Sequence, residues 1–528
     1  MQGTKELVPK MLYQVHIDDL VPQNNFYRLL DKALNLQFLY KATAPYYGNE
    51  GQESIDPVVF FKICLIGYLN NINSDRRLMD YCSNCLDIRL YLKYDIDEKL
   101  PWHSTISRTR QLYGEEVFLS LFKEVLRLCV EKGMVSGKRQ AVDSAFIKAN
   151  ASLDSLLEKE VLADAETYAD ELAQNSQHTV TPEKKKQVEG HHKWKNRHQK
   201  NMLGSGYIEG KEGDSGDFIQ AKNLSNHTHY SPTDGDARIA TKPGKPRQMN
   251  YSGQVCVDTS HHVITGAMAD FADKRDSQCI ENIIELTQEN LQDNGINFGQ
   301  LLADTGYSSG EALQYLEDKN IDAYIPNFGQ YKPVREGFIY NPDLDQYECQ
   351  RGNKAILVFK SMRKKNRDYV SKCYRSSETA CKHCPLRIEC CGEKTKFKKI
   401  DHSIYKPYYD RMHKKLTEKK GYAQKMARLR SSTVEPVLGT LINFLNMKRV
   451  NTRGIDLANK HVLMASLCYN LKKYLKFVSK KPISQAIAMP IEVKTSVSVF
   501  LTCFLAFWCN LSLCFSTQKF ANRNLIAR

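Results

Sequence analysis

Gln140-Ala-Val-Asp-Ser-Ala-Phe-Ile-Lys148 reads as a β-strand with a carboxylate, Asp143, near its middle and apolar Val142 and Ala145 close by. A polar stretch from about 153 to 250 follows, with Lys184-Lys-Lys186, His191-His192 and many Gly and Asn. It predicts an insertion of weak structure, partly a mobile basic loop. Regular patterning resumes at 252. Gly253-Gln-Val-Cys-Val-Asp258 and His262-Val-Ile-Thr-Gly-Ala-Met268 predict paired strands around a short turn, and Ser277 to Leu291 predicts a helix. Gly299-Gln-Leu-Leu-Ala-Asp304 is a short apolar strand ending in an acid. A helix from Gly310 to Lys319 and a strand Ile321-Asp-Ala-Tyr-Ile325, stopped by Pro326, complete the run.

The order is therefore strand, insertion, strand, strand, helix, strand, helix, strand. It resembles an RNase H-like order, in which three antiparallel strands precede the first helix and parallel strands follow. The fold expected is α/β, an RNase H-like mixed sheet with helices, two insertions and a preceding helical domain. Residues 1–135 form that helical domain. Pro57 to Leu69 is apolar around most of a helix and so predicts a buried one, and Asp75 to Cys85 begins another. Residues 136–475 form the catalytic domain, with insertions at about 153–250 and 330–425. A helix from 433 to 447 follows, with Val434, Val437, Leu438, Leu441, Ile442 and Leu445 on one face. Residues 476–528 are a tail of uncertain structure.

An acid at a strand end, facing a crevice, is where an open α/β sheet builds its site. Asp143, Asp304 and Glu435 come from separate elements. Together they can supply the hard oxygen ligands by which two Mg²⁺ ions, one at the attacking oxygen and one at the leaving oxygen, support phosphoryl transfer. Each acid also has a plainer reading. Asp143 can be a strand-edge charge, and Asp304 can begin a turn with Gly306. Glu435 can close a capping box with Ser432. Glu311 is the nearest competing acid in sequence, on a different helix.

Val142-Asp-Ser-Ala-Phe-Ile-Lys-Ala-Asn-Ala-Ser152 resembles the first-aspartate motif of DDE transposases from bacterial insertion sequences. Leu302-Ala-Asp-Thr-Gly-Tyr307 resembles their second-aspartate motif, and Arg428-Leu-Arg-Ser-Ser-Thr-Val-Glu-Pro-Val-Leu-Gly439 their glutamate motif. Residues 40–113 resemble the InsH-type N-terminal domain of the same enzymes, so the likeness runs over about 40–475. It implies a catalytic, Mg²⁺-binding triad of Asp143, Asp304 and Glu435, with Mn²⁺ able to substitute. It also implies DNA or transition-state contacts from Arg428 and Arg430. Tyr422, Arg428 and Glu435 match the tyrosine–arginine–glutamate signature of some relatives only loosely.

The net charge of +15 points to a polyanionic partner. Double-stranded DNA is expected, as element ends and target, with the chain a homo-oligomer on it. Ser104 to Arg110 puts hydroxyls, Arg108 and Arg110 at a helix start that can grip a phosphate; the alternative is an ordinary capped helix. His191-His-Lys-Trp-Lys-Asn-Arg-His198 can track a DNA backbone or be a solvated loop. Residues 1–10 lack a signal-peptide pattern, so a reducing bacterial cytoplasm, beside the nucleoid, is the expected compartment. There, disulfides among the 16 cysteines are not expected. Cys373, Cys381, Cys384 and Cys390 offer four thiolates to one Zn²⁺, with Cys349 upstream and Cys391 adjacent; reduced thiols without metal are the other reading. Cys82 and Cys85 form a weaker pair. Residues 495–518 carry no charge and are long enough to span a membrane, but their serines and threonines weaken that reading, and no membrane role is expected. Two further functions stay open: an RNase H-like structure-specific nuclease without strand transfer, and an inactive DNA-binding relative of a transposase.

Overall fold

Backbone N–H groups at the start of the first long helix find their partner in sequence: Asp56 Oδ1 accepts from Val58 N (2.7 Å) and Val59 N (3.1 Å), and Pro57 presets the first turn. The structure is a computed structural model describing residues 16–48, 50, 54–159, 225–226, 228–241, 246–327, 329, 331–365 and 369–479. The chain forms two compact units, 1–472 and 473–528, and the second is described only over 473–479.

The N-terminal region is helical as expected: α1 (Ile17–Leu20), α2 (Phe26–Ala33), α3 (Phe38–Thr43), α4 (Pro57–Leu69), α5 (Asp75–Asn84), α6 (Leu86–Leu92), α7 (His103–Leu112) and α8 (Glu115–Glu131). Because α4 is apolar all round, it is enclosed, burying Phe60, Phe61, Ile63, Leu65 and Ile66. Its one charge, Lys62, is buried too and donates to Asp31 and the Tyr91 carbonyl.

The first sheet contains β1 (Arg139–Lys148), β4 (Arg238–Ala240), β5 (Gln248–Asp258), β6 (Ile264–Phe271), β7 (Gln300–Leu302) and β8 (Asp322–Tyr324); β2 (Leu157–Glu158) and β3 (His229–Tyr230) form a separate two-stranded antiparallel ladder. β5 pairs antiparallel with β1 on one side, Asp143 opposite Val255, and with β6 and β4 on the other. β7 then runs parallel to β1, and β8 parallel to β7. Helix α9 (Asp276–Gln292) connects the antiparallel half to the parallel half and buries Ile280, Ile283 and Ile284; α10 (Gly310–Asp318) follows β7. The expected order of strands and helices is therefore present, and the chain is a mixed α/β protein behind a helical N-terminal region. The insertion expected at 153–250 ends early, because β4 and the start of β5 already belong to the sheet. Its segment 160–224, including the 191–198 basic run, lies outside the described residues, as does 495–518. Among the described residues no helix is long and apolar enough to cross a membrane.

The stretch expected as a second insertion is a five-stranded antiparallel sheet: β9 (Phe338–Asn341), β10 (Gln346–Cys349), β11 (Ile356–Lys365), β12 (Tyr369–Ser376) and β13 (Lys399–Ser403), in the order β13-β12-β11-β10-β9. It has its own core of Phe338, Tyr347, Leu357, Tyr374 and Ile400. Short helices α11 (Glu378–Lys382) and α12 (Arg387–Cys391) lie between β12 and β13.

Three helices close the chain: α13 (Lys406–Glu418), α14 (Lys420–Phe444) and α15 (Ile455–Ser479). α14 corrects the helix expected over 433–447. It begins 13 residues earlier than that expectation, so its polar first half, which carries no apolar stripe to read, was missed. α15 packs against the helical N-terminal region through polar contacts: Lys460 Nζ donates to the Tyr113 carbonyl (2.6 Å), and the Tyr68 hydroxyl and His461 Nδ1 are 2.7 Å apart.

Candidate active site

β1 carries Asp143 on the centre of the sheet, where burial pushes its carboxyl above the usual carboxylate range. The Ser144 N–H and Arg430 oppose that shift, and Asp304 reinforces it. Ser144 N donates to Asp143 Oδ1 at 2.7 Å and so fixes one oxygen. Asp304 stands just beyond β7, the parallel neighbour of β1, and its Oδ1 accepts from Gly306 N at 2.9 Å. The turn reading of Asp304 is thus correct as geometry, and its carboxylate is close enough to help raise that of Asp143.

Glu435 is exposed and sits deep in α14. Ser432 is interior to the same helix, its hydroxyl donating to the Leu429 carbonyl (3.1 Å), so the capping-box reading of Ser432 and Glu435 is wrong: the helix has no N-terminus there. What connects Glu435 to the sheet is Arg430. Its guanidinium lies 3.0 Å from Asp143 Oδ2 and 3.4 Å from Glu435 Oε1, one cation between two carboxylates. Arg430 also lines, with Asp304, Thr305 and Tyr324, a cavity of about 180 Å³ between β7 and α14. The structure therefore sets Asp304 and Arg430 on one cavity and pairs Arg430 with both Asp143 and the exposed Glu435. Tyr422 is also near, its hydroxyl accepting from Arg139 (3.3 Å) at the start of β1. Arg428 is exposed on the same helix, and Glu311 is exposed on α10.

Beneath the two aspartates runs a polar network that sequence reasoning missed. Ser144 Oγ donates to Asp276 Oδ1 (2.6 Å), Gln254 Nε2 donates to the same oxygen (3.3 Å), and the Tyr307 hydroxyl donates to Gln254 Oε1 (2.5 Å). Asp276 is the first residue of α9, and in sequence it is indistinguishable from the acids that commonly open helices.

Carboxylate oxygens are the donor set that hard divalent cations take, and a guanidinium already held by two of them marks the place as a seat for positive charge. Among the described residues no group of three or more His, Cys, Asp or Glu side chains stands in a metal-holding arrangement. Arg430 takes the position between Asp143 and Glu435.

Of the helix-start arginines, Arg108 is exposed, whereas Arg110 turns inward. Its two terminal nitrogens meet both oxygens of Asp75 at 2.9 and 2.7 Å. That bidentate pair ties α7 to α5, which removes Arg110 from the surface expected to meet DNA. The cysteines also sort differently. Cys349, Cys381, Cys384, Cys390 and Cys391 line one cavity of about 230 Å³ beside the five-stranded sheet. Burial pushes the Cys391 thiol up to about 11, helped by Cys390 and Cys381. Gly352, with φ +55°, passes so close to this cluster that a Cβ there would stand 2.4 Å from Cys384 Sγ. Cys373 is not part of the cluster: it is buried on β12, where its thiol meets the Asp401 carboxylate. Cys82 is buried and Cys85 half-buried in the helical region.

Two family models match the chain. Residues 15–112 match a transposase domain (DUF772), and residues 348–475 match a transposase DDE domain, which includes Glu435 and the cysteine cluster. Asp143 and Asp304 lie outside both matched stretches. No curated protein matches the chain. With a transposase domain before the mixed sheet and a transposase DDE domain after it, the chain belongs to the DDE transposases of insertion-sequence type, and DNA is its partner.

Proposed function

We propose that Asp143, Asp304 and Glu435 are the metal-binding triad of an RNase H-like transposase that cleaves the ends of its own element and joins them to target DNA. The observation that carries this reading is the Arg430 bridge, which brings Glu435 of α14 to Asp143 of β1 across 292 residues of sequence. The strand order, three antiparallel strands followed by a helix and two parallel strands, supports the RNase H-like assignment.

Asp143, Asp304 and Glu435 would hold two divalent ions, Mg²⁺ or in its place Mn²⁺, which would supply Lewis acidity to the attacking and leaving oxygens. This chain's residues supply the rest. Ser144 N and Gly306 N each hold one oxygen of Asp143 and Asp304, which orients the remaining oxygens. Arg430, exchanging its carboxylates for a DNA phosphate, stabilises the negative charge that grows on the phosphorus oxygens. In the first step a water oxygen bonds to the phosphorus at the element end and the 3′ oxygen leaves as a hydroxyl. In the second, that 3′-hydroxyl bonds to a target phosphorus and the target's 3′ oxygen leaves. Arg108 and Arg428, both exposed, contact the DNA backbone, and the enzyme acts as a homo-oligomer on its ends.

Asp143→Asn, Asp304→Asn and Glu435→Gln should each lower cleavage of labelled element ends in Mg²⁺ at least 100-fold while end binding stays within a few-fold of the parent, since an amide ligates Mg²⁺ poorly. Cutting at near the parental rate by any one of them removes that residue from the triad.

A further inference from the structure

At the Lys148 end of β1 the segment between α14 and α15 is bonded to the strand. Lys148 N–H donates to the Lys448 carbonyl (3.1 Å), and Val450 N–H donates to the Lys148 carbonyl (2.9 Å), with Lys148 and Arg449 bridged in parallel. The segment is fixed further on. Asn150 Nδ2 donates to the Asn451 carbonyl (2.8 Å), and Gly454 N–H, at a φ of +90° that favours glycine, donates to Asp234 Oδ1 (3.1 Å). The backbone around Arg449 and Arg453 is therefore held in place.

The cationic heads on that backbone are left over by the fold. Lys148, Arg449 and Arg453 are exposed and line one open groove of about 580 Å³, against about 180 Å³ for the cavity beside Asp304. Among the described residues no carboxylate pairs with any of the three; Arg449 Nη2 donates to the neutral Asn150 Oδ1 (3.3 Å). Asp154 is the one acid among the described lining residues, and it accepts from Ser152 Oγ (2.9 Å). Ser155, Thr233 and Gln248 add hydroxyls and an amide. Three like charges on one wall repel one another until an anion lies among them. Lys and Arg beside hydroxyl and amide side chains are the groups that contact phosphates along a nucleic-acid backbone. A small ligand is enclosed by its pocket, whereas this groove is open, as a polymer passing through it requires. Lys148 also shares β1 with Asp143. At about 3.4 Å per residue the two are about 17 Å apart along the strand, about half a turn of duplex DNA, so one duplex reaches both.

We propose that this groove binds the phosphate backbone of the duplex whose cleaved phosphate lies at Asp143, through Lys148, Arg449 and Arg453. The proposal rests on the triad reading above for where cleavage occurs. Binding of the full-length protein to two labelled duplexes, one carrying the element end and one of random sequence, is measured at several salt concentrations. Arg449→Gln with Arg453→Gln removes two charges that no described carboxylate partners. It should lower the slope of log affinity against log salt by about two and weaken binding about tenfold near 0.1 M salt, with a melting temperature near the parent's. Arg449→Lys with Arg453→Lys keeps the charge and should restore the parental slope, which a merely structural role does not predict. Lys148→Gln should lower the slope by about one and covers the case in which the double variant does not fold. A change with the element-end duplex alone assigns the groove to the ends, one with the random duplex alone to target DNA, and one with both to either duplex. Parental slopes on both duplexes for these glutamine variants overturn the proposal. Asp143→Asn separates the two readings: it should bind as the parent does and fail to cut. If it cuts, the triad reading fails, while the salt slopes still decide whether the groove holds DNA.

Discussion

Arg430 ties Glu435 to the sheet, and whether Glu435 caps a helix is decided by where α14 begins. Ser432 and Glu435 have the spacing of a capping box, and a helix starting at 433 makes that reading natural. A helix starting at Lys420 makes it impossible, because the N–H groups that a cap would satisfy are already bonded within the helix. Ser432→Ala should therefore change stability by less than about 0.5 kcal/mol, as an exposed helix-interior substitution does, whereas loss of a true cap costs about 1 kcal/mol. A thermal melt compares the two, and a loss of the larger size restores the cap. Asp143 and Asp304 were legible from their residues alone, each an acid at the apolar centre or end of a short strand. Asp276 was not: its partners Ser144 and Gln254 are 132 and 22 residues away, and nothing local distinguishes it. Arg110 was misjudged for the same reason, since Asp75, which turns it inward, is 35 residues off.

At the scale of elements, period and burial carried the first sheet. β1, β5, β6, β7 and β8 are apolar runs between turn residues, and each falls within a few residues of its expected place. The five-stranded sheet was hidden because its strands do not alternate apolar and polar residues: β11 exposes Ile356, Val358 and Met362 beside Lys360, Arg363 and Lys364. Its core is three aromatics, one leucine and one isoleucine, one residue from each strand, too dispersed for a periodic signal. That sheet gathers Cys349 with Cys381, Cys384 and the Cys390–Cys391 pair around one cavity, a set that replaces the one containing Cys373. We expect four of these five thiols, which stand apart here from a metal-holding arrangement, to draw together on one structural Zn²⁺, since four thiolates suit tetrahedral zinc. Protein purified without added zinc should carry about one Zn²⁺ per chain by elemental analysis; Cys384→Ser should lose it and Cys373→Ser should keep it. Zinc-free, fully folded parent protein contradicts the assignment.

Across the whole molecule, two buried histidines link stability to pH. Burial holds His402, enclosed by Tyr340, Tyr347 and Tyr374 in the five-stranded sheet, down to about 4, and burial does the same to His461 in α15, also to about 4. In the unfolded chain both titrate near the ordinary value of about 6.5. Between these values the unfolded state binds more protons, so stability is complete above about 6.5 and falls as pH drops toward 4. The melting temperature should decline over that window. His402→Gln should flatten part of the decline, and a pH-independent melt from 7 to 4.5 contradicts the burial of both rings.

Iron-directed cleavage of the polypeptide tests whether carboxylates far apart in sequence form one metal centre. Fe²⁺ replaces Mg²⁺ in the full-length protein, and ascorbate with peroxide then generates radicals that cut the backbone within a few ångströms of the ion. The prediction is cuts clustered near 143, 304 and 435, all suppressed together by excess Mg²⁺. Cuts near only one of these positions, or Mg²⁺-sensitive cuts confined to the cysteine sheet, contradict it.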